Sequence, residues 1–433
     1  MLRLHTLMYI KSLTIVVVAI LATAATGSPM RNTAVSAAPL LASYDAEVIL
    51  DNYIVVFKDD VKPGQHSLQS HFAWLTSSIH EANARAPSFK DANRINHIYQ
   101  DAIVGYSGQF EPEILERIRR SEDVAYVEKD SVVYASETQH NAPWGLARIS
   151  HRQPLGFGTF NKYLHDPKAG DGITVYVVDT GVNIQHVDFE GRARWGKTVP
   201  INDIDDDKNG HGTHVAGTIA GKRYGVAKSA HVVAVKVLGS NGSGSMSDVV
   251  KGVEFTITEH RKEAAAAKRD GKTHRGSVAN MSLGGGLSRA LNLAVDAAVR
   301  AGVHYAVAAG NDNRDACNYS PASAPNAITV GATTITDERA WFSNFGKCVD
   351  VFAPGKDILS TWIGSKYQTN SISGTSMASP HVAGLAAYLL SQETDKLSGE
   401  ELKAKMIELA TKDVIENAGE ESPNVLIYNN AQK

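Results

Sequence analysis

From Trp144 onward, short apolar runs alternate with stretches of helical periodicity. The runs are Ile173 to Val178, His231 to Leu238, Val278 to Leu283, Val303 to Ala309 and Ala327 to Val330. Continuous apolar runs of this length, separated by helices, predict a parallel sheet buried on both faces. In such sheets chemistry gathers at the carboxyl ends of the strands. One predicted helix stands apart, because after Pro380 nearly every residue to Leu390 is apolar or small. A helix apolar on every face must be buried. Pro380 is expected in its first turn, where a missing N–H costs little.

Upstream the pattern is different. Asn52 to Lys58 reads as a strand, Gln65 to Asn83 as a helix, and Asn96 to Phe110 as two short strands around Asp101. Glu111-Pro112-Glu113 opens a second helix, with proline in the first turn and acids at the positive end. Val124 to Ala135 closes with a strand. The order β-α-β-β-α-β is that of a small ferredoxin-like unit. Residues 28–50 lack periodicity and read as a spacer, and the polar Ser136 to Asn141 as an exposed linker. Near the C-terminus Ser398-Gly-Glu-Glu401 has the form of a capping box before Leu402 to Leu409.

Length and composition narrow this picture. The 433 residues accommodate one large domain and a smaller one. A formal net charge of -3 gives no electrostatic footprint for nucleic acid. Arg3 and Lys11 precede an apolar run, Leu13 to Thr26, with small residues at Ala22, Ala24, Ala25 and Gly27. That is the form of a secretory signal peptide over residues 1–27, too short for a membrane span, and no second run is long enough to cross a bilayer. In an oxidising compartment Cys317 and Cys348 most simply form one disulfide, the alternative being two free buried thiols.

Four polar residues stand at the ends of predicted elements. Ser376 lies where a glycine-led turn enters the buried helix, so it either caps that helix or attacks a carbonyl. Asp179 ends the run Ile173 to Val178, as a turn residue or as an orienting carboxylate. His211 lies in Asn209-Gly-His-Gly-Thr-His-Val-Ala-Gly217, whose glycines permit a tight turn into a small-residue helix. His214 is three residues on, but without H-E-x-x-H or a carboxylate on that face no zinc set, and no other metal site, is assigned. Asn311 follows Ala308-Ala309-Gly310 at the end of another run, and its amide is a neutral donor for a developing oxyanion. Together they supply a nucleophile, a base, an orienting carboxylate and an oxyanion donor.

Asp179-Thr-Gly181, His211-Gly-Thr-His214 and Gly374-Thr-Ser-Met-Ala-Ser-Pro-His381, in that order and with Ala309-Gly-Asn311, resemble the motifs of the subtilisin-like serine proteases, in the branch of proteinase K and cerevisin. The resemblance spans about Trp144 to Asn430, and Asn52 to Ala135 is similar to the family's inhibitory propeptide. It implies an α/β fold, a subtilisin-like parallel sheet flanked by helices, behind a ferredoxin-like α+β propeptide domain over 51–135, with a processing linker at 136–143 and a catalytic domain over 144–433. It implies that Ser376 attacks the scissile carbonyl, that His211 is the base, that Asp179 orients it, and that Asn311 with the Ser376 N–H binds the oxyanion.

By the same likeness, Gly239, Ser240, Asn241 and Gly242 on one side and Ser282, Leu283 and Gly284 on the other sandwich an extended peptide substrate as an added strand. Ala308, Ala309 and Gly310 imply a roomy apolar first pocket for aromatic or large aliphatic residues, and Met246 stands where the family often has an aromatic lid. Asp205-Asp206-Asp207 is the only hint of a preference for basic residues. No cofactor is expected in the chemistry. A structural calcium ion is implied by the family, but Thr333 and Thr334 stand where proteinase K-like enzymes carry the ligating Asp, with Asp337 further on. The expected partners are polypeptide substrates and the chain's own propeptide, with no nucleic acid, as a monomer secreted to the exterior or delivered to the vacuole. Asn241-Gly-Ser, Asn280-Met-Ser and Asn318-Tyr-Ser are glycosylation sequons. The alternatives are a processing protease specific for basic residues and a silent protein that only binds peptides.

Overall fold

The computed structural model describes residues 37–42, 48–85, 93–101, 103–131 and 137–431. The expected signal peptide, most of the spacer and the tail Val132 to Ala135 lie outside the described residues. The chain forms two compact units, divided between 132 and 133.

The first unit contains β1 (Leu40–Leu41), β2 (Val48–Phe57), α1 (His66–Arg85), β3 (Arg94–Tyr99), β4 (Gly105–Gln109), α2 (Pro112–Arg119) and β5 (Val124–Ser131). Its sheet runs β1-β5-β2-β4-β3, antiparallel except where β1 joins β5. From β2 onward this is the expected β-α-β-β-α-β order, with β1 added at an edge. Tyr53, Val55 and Phe57 alternate inward along β2, as a sheet with one buried face requires. They pack with Leu75 of α1 and with Ile114, Leu115 and Ile118 of α2. Proline at the start of α2 and Glu113 in its first turn are as expected.

The second unit opens with β6 (Glu137–His140), α3 (Trp144–Ile149) and β7 (Lys162–His165), β6 pairing antiparallel with β7. The stretch expected as an exposed linker is therefore in part a strand of this unit. There follow β8 (Thr174–Asp179), β9 (Ala193–Thr198), α4 (His211–Ala220), β10 (His231–Lys236), α5 (Met246–Arg269), β11 (Ser277–Met281), β12 (Gly285–Gly286), α6 (Arg289–Ala301) and β13 (Val303–Ala308). Then come β14 (Tyr319–Ser320), β15 (Ile328–Thr333), β16 (Val351–Pro354), β17 (Ile358–Thr361), β18 (Thr369–Ile372), α7 (Thr375–Gln392), α8 (Gly399–Leu409), β19 (Thr411–Lys412) and β20 (Val425–Leu426). The main sheet runs β19-β20-β16-β15-β13-β11-β8-β10-β9 and is parallel apart from the β19/β20 pair. The five expected runs are all strands of it; β9, β16, β19 and β20 were not legible as runs.

Both faces of this sheet are covered, so its strands show no polar alternation. Val175, Val177, Val232 and Ala234 face α4 and α7, packing with Val215, Ile219, Val382 and Leu385. Tyr176, Val178, Val233 and Val235 face the opposite way, toward Val249 and Val253 of α5 and Leu291 and Val295 of α6. Helix α7 is buried from Met377 to Leu390. It begins at Thr375, so Pro380 sits in its second turn rather than its first. The capping box forms as expected, with Ser398 and Glu401 bonding reciprocally at the start of α8. Cys317 and Cys348 are joined, with Cα atoms 5.3 Å apart. No helix among the described residues is long and apolar enough to cross a membrane.

Candidate active site

Parallel strands deliver their last residues to one edge of the sheet, and there β8 delivers Asp179. Asp179 is fully buried, and its Oδ1 accepts the N–H of Thr180 at 2.7 Å. His211 is the first residue of α4, and its Nδ1 lies 2.8 Å from Asp179 Oδ1 and 3.0 Å from Oδ2. A carboxylate on Nδ1 fixes the tautomer with Nε2 free to accept a proton. Burial disfavours the imidazolium of His211, but the charge and hydrogen bond of Asp179, with a further contribution from Asp207, outweigh it and raise the pKa above 6.5.

The loop into α4 is built for close approach. Gly210 caps the helix at φ 99°, a conformation that favours glycine. A Cβ on Gly212 would lie 2.1 Å from the Gly181 carbonyl and 3.1 Å from Asp179 Oδ1, so only glycine lets the helix reach the strand. His214 is fully buried on the same helix, with Nε2 2.8 Å from the Ile358 carbonyl, and burial lowers its pKa to about 4. It is a core residue.

Ser376 is the second residue of α7. Its Oγ donates to the Ser282 carbonyl at 3.1 Å, and Ser282 Oγ donates to the Ser376 carbonyl at 2.7 Å. Asn311 Oδ1 accepts both the N–H and the hydroxyl of Thr375, at 2.8 and 2.9 Å, which turns its NH₂ away from the helix as a donor. A Cβ placed on Gly374 would lie 3.5 Å from the Ser376 nitrogen and 3.7 Å from Asn311 Nδ2. The Asn311 side-chain amide and the Ser376 backbone nitrogen therefore both lie beside Gly374, next to the serine.

Two hollows share the segment Leu283–Gly285. One, of about 470 Å³, is lined by His211, Thr180, Leu238, Gly242, Met246 and Ser282 among others. The second, of about 320 Å³, is lined by Ser376, Asn311, Ala308, Ala309, Gly310 and Ala322 among others. Gly239, Ser240 and Asn241, expected beside the substrate, line neither hollow; they form a turn in which the Gly239 N–H reaches the Ser243 carbonyl at 2.8 Å. The adjoining Ser243, Gly244 and Ser245 take that place. Thr180, Leu238, Tyr319 and Ala322 were missed, although Thr180 and Leu238 adjoin the motifs already singled out.

The acidic run does not face the hollows. Asp205 accepts from the Thr198 hydroxyl at 2.6 Å, Asp206 pairs with Lys208 at 2.8 Å, and Asp207 is buried. The family's calcium site does not fit the residues present either. Asp337 is committed to the buried Arg148, with Nε–Oδ1 at 2.6 Å and Nη2–Oδ2 at 3.1 Å. Of the sequons, Asn241 and Asn318 are exposed, whereas Asn280 is fully buried in β11, out of reach of a glycan in the folded chain.

The chain is similar to known proteins over most of its length. Residues 170–424 match the model of the subtilase family, and residues 52–136 match that of the peptidase inhibitor I9 family. The chain is 55% identical over 417 residues to a subtilisin-like protease of Coccidioides posadasii, covering 91% of this chain and 83% of that one. It is 53% identical to the subtilisin-like serine protease Cla h 9.0101 of Davidiella tassiana, covering 94% and 84%. The crystal structure of a cold adapted subtilisin-like serine proteinase superposes with a TM-score of 0.59 at 45% identity, covering 67% of this chain and 98% of that one. With relatives this similar over most of its length and a family model matched over more than half of it, the chain belongs to the subtilase family of serine endopeptidases and carries an inhibitor I9 propeptide.

Proposed function

We propose that Ser376 is the nucleophile, His211 the general base, Asp179 the carboxylate that orients it, and Asn311 with the Ser376 N–H the oxyanion site. The Asp179 carboxylate on His211 Nδ1, with Asn311 held beside Ser376 by Thr375, supports this reading. Ser376 attacks the scissile carbonyl as His211 Nε2 takes its proton. The oxyanion forms between the two donors, the imidazolium returns the proton to the leaving amine, and water repeats the sequence on the acyl-enzyme. All of these groups come from the chain, so the chemistry needs no cofactor.

The substrate is an extended polypeptide lying along Leu283–Gly285, where glycines leave little side-chain bulk to keep a further strand away. Small residues at Ala308, Gly310 and Ala322 leave room for an aromatic or large aliphatic side chain before the scissile bond. The enzyme is made as a zymogen, inhibited by its own residues 51–135, and processes itself as a monomer. Because β6 pairs with β7, a cut before Glu137 preserves that pairing, and this supports a mature chain that starts close to that residue. The apolar N-terminal run supports secretion, with delivery to the vacuole as the second destination.

The test is fluorophosphonate labelling of the purified protein and of Ser376→Ala, followed by N-terminal sequencing of the labelled band. Label on a shortened form starting near Glu137, absent from the variant, is the expected result. Processed protein that takes no label would put the peptide-binding reading first.

A further inference from the structure

We propose that Asp207 is a positioning residue for His211, acting through Thr180 and the first turn of α4 without touching the substrate. The inference rests on His211 as the general base and goes beyond it by naming what holds that base in register.

Asp207 is 3% exposed and accepts five hydrogen bonds. Its Oδ1 takes the Thr180 hydroxyl at 3.0 Å and the N–H groups of Asn209 and Gly210 at 3.0 and 2.9 Å. Its Oδ2 takes the N–H and the hydroxyl of Thr213 at 3.0 and 2.6 Å. A helix start leaves N–H groups without intrahelical partners, and a buried carboxylate there is favoured by their partial positive charge. The remaining donors at this end are also met by side chains: His211 N–H by Asn209 Oδ1 at 3.3 Å, and Gly212 N–H by Thr180 Oγ1 at 2.9 Å.

Thr180 is the node of this arrangement. It follows Asp179 directly and gives its N–H to the Asp179 carboxylate, while its hydroxyl joins Asp207 to Gly212. The carboxylate that orients the imidazole and the helix turn that carries the imidazole are therefore tied through one residue. Lys236 of β10 secures the same residue from behind, donating to the Thr180 carbonyl at 2.8 Å and lying 3.6 Å from Asp203.

The charged groups around His211 are few. Asp179 faces it from β8 and Asp207 from the loop before α4. His214 on α4 and His381 on α7 are held neutral by burial, and Asp188 lies at the far end of α4, beside Gly221. Asp207 is thus a second carboxylate that favours the imidazolium formed during the reaction, besides holding its backbone.

The test compares Asp207→Asn with the parent as processed enzymes on an uncharged chromogenic peptide. Whichever way the amide turns, its NH₂ faces groups that donate. The expected result is a kcat lowered about 10–100-fold with KM changed less than about twofold, and an acid limb of kcat/KM displaced to lower pH. Asp207→Asn with the parent's kcat and acid limb would overturn the proposal. If Asp207→Asn does not accumulate, Thr180→Val and Thr180→Ser carry the test, because only serine keeps the bridging oxygen. Thr180→Val should then show the same loss and the same displacement, with Thr180→Ser recovering most of both. Equal behaviour of the two would overturn it. Fluorophosphonate labelling of the parent is the control on the underlying reading, since a parent that takes no label contradicts that reading and not the role of Asp207.

Discussion

Ser282 and Ser376 hold each other reciprocally: each hydroxyl donates to the other's carbonyl, at 2.7 Å from Ser282 and 3.1 Å from Ser376. The bond to the Ser376 carbonyl has a specific cause. In an α-helix that carbonyl would accept the N–H of residue 380, and Pro380 has none. Ser282, at the end of β11, supplies the missing donor and so ties the sheet edge to the helix that carries the serine. Ser282→Ala should lower the unfolding free energy by about 1–3 kcal/mol, the cost of stranding a buried acceptor. Pro380→Ala should recover part of that loss, and denaturant unfolding in a Ser376→Ala background, free of self-digestion, measures both. Additive effects of the two substitutions would refute the coupling.

The pH profile of cleavage follows from His211. The base must be neutral to accept a proton, and its pKa lies above 6.5 because Asp179 overcomes the effect of burial. Activity should therefore rise with pH through a midpoint above 6.5. Asp179→Asn should move that midpoint down and reduce kcat by about 10⁴-fold. Steady-state kcat/KM from pH 5 to 9 checks both, and an unmoved midpoint in Asp179→Asn would contradict the pairing.

Asn311 has its oxygen occupied by Thr375, so in the proposed oxyanion site only its NH₂ is left to donate. Asn311→Ala should lower kcat by about 10²–10³-fold with little change in KM, since the donor acts on charge that develops only in the transition state. Asn311→Asp, which keeps an acceptor for Thr375 and loses the donor, should be as poor. An Asn311→Ala enzyme whose defect lies wholly in KM would assign the residue to ground-state binding.

Four buried histidines of the second unit should make the fold acid-sensitive. His214, His260, His304 and His381 each have a pKa lowered to about 4, in every case first by burial. In the unfolded chain they titrate near about 6.5. Between pH 6.5 and 4 the unfolded state binds more protons, so stability is full above this window and declines as pH falls through it. His165 is lowered too, again first by burial, whereas His211, with its pKa raised, contributes in the opposite direction. Unfolding of Ser376→Ala at a series of pH values should show this decline, and His304→Leu should make it shallower. A profile flat from pH 7 to 4 would rule the account out.

The disulfide closes a loop with a sequence separation of 31. On the chain-entropy model that is worth about 3–4 kcal/mol. The pair Cys317→Ser and Cys348→Ser should shorten the half-life of activity at elevated temperature while leaving kcat near the parent value. An unchanged half-life would mean that this loop does not open before inactivation.

The specificity reading separates two enzymes with one machinery. Rapid cleavage after Phe and Leu in a peptide library is expected, given Ala308, Gly310 and Ala322 on the walls of the second hollow. Cleavage after paired arginines with none after Phe or Leu would replace it by the basic-residue reading.

The hydrophobic pattern was enough to establish the layers, the five central strands and the buried helix, and to nominate four chemical residues. Strands buried on both faces must be apolar throughout, a helix buried on all sides must lack polar positions, and both signatures survive in one dimension. Asp179, His211, Asn311 and Ser376 were legible because each is a polar residue at the end of such a run, where small neighbours mark a turn. What the pattern could not carry is pairing between distant segments. Residues 136–143 look like a linker because they are polar, yet β6 is held by hydrogen bonds to β7. Asp207 looks like part of a solvated acidic run, because only the folded chain brings Thr180 and the first turn of α4 around it. Burial of a polar residue depends on donors supplied from far along the chain, and those exist only once the tertiary structure has brought them together.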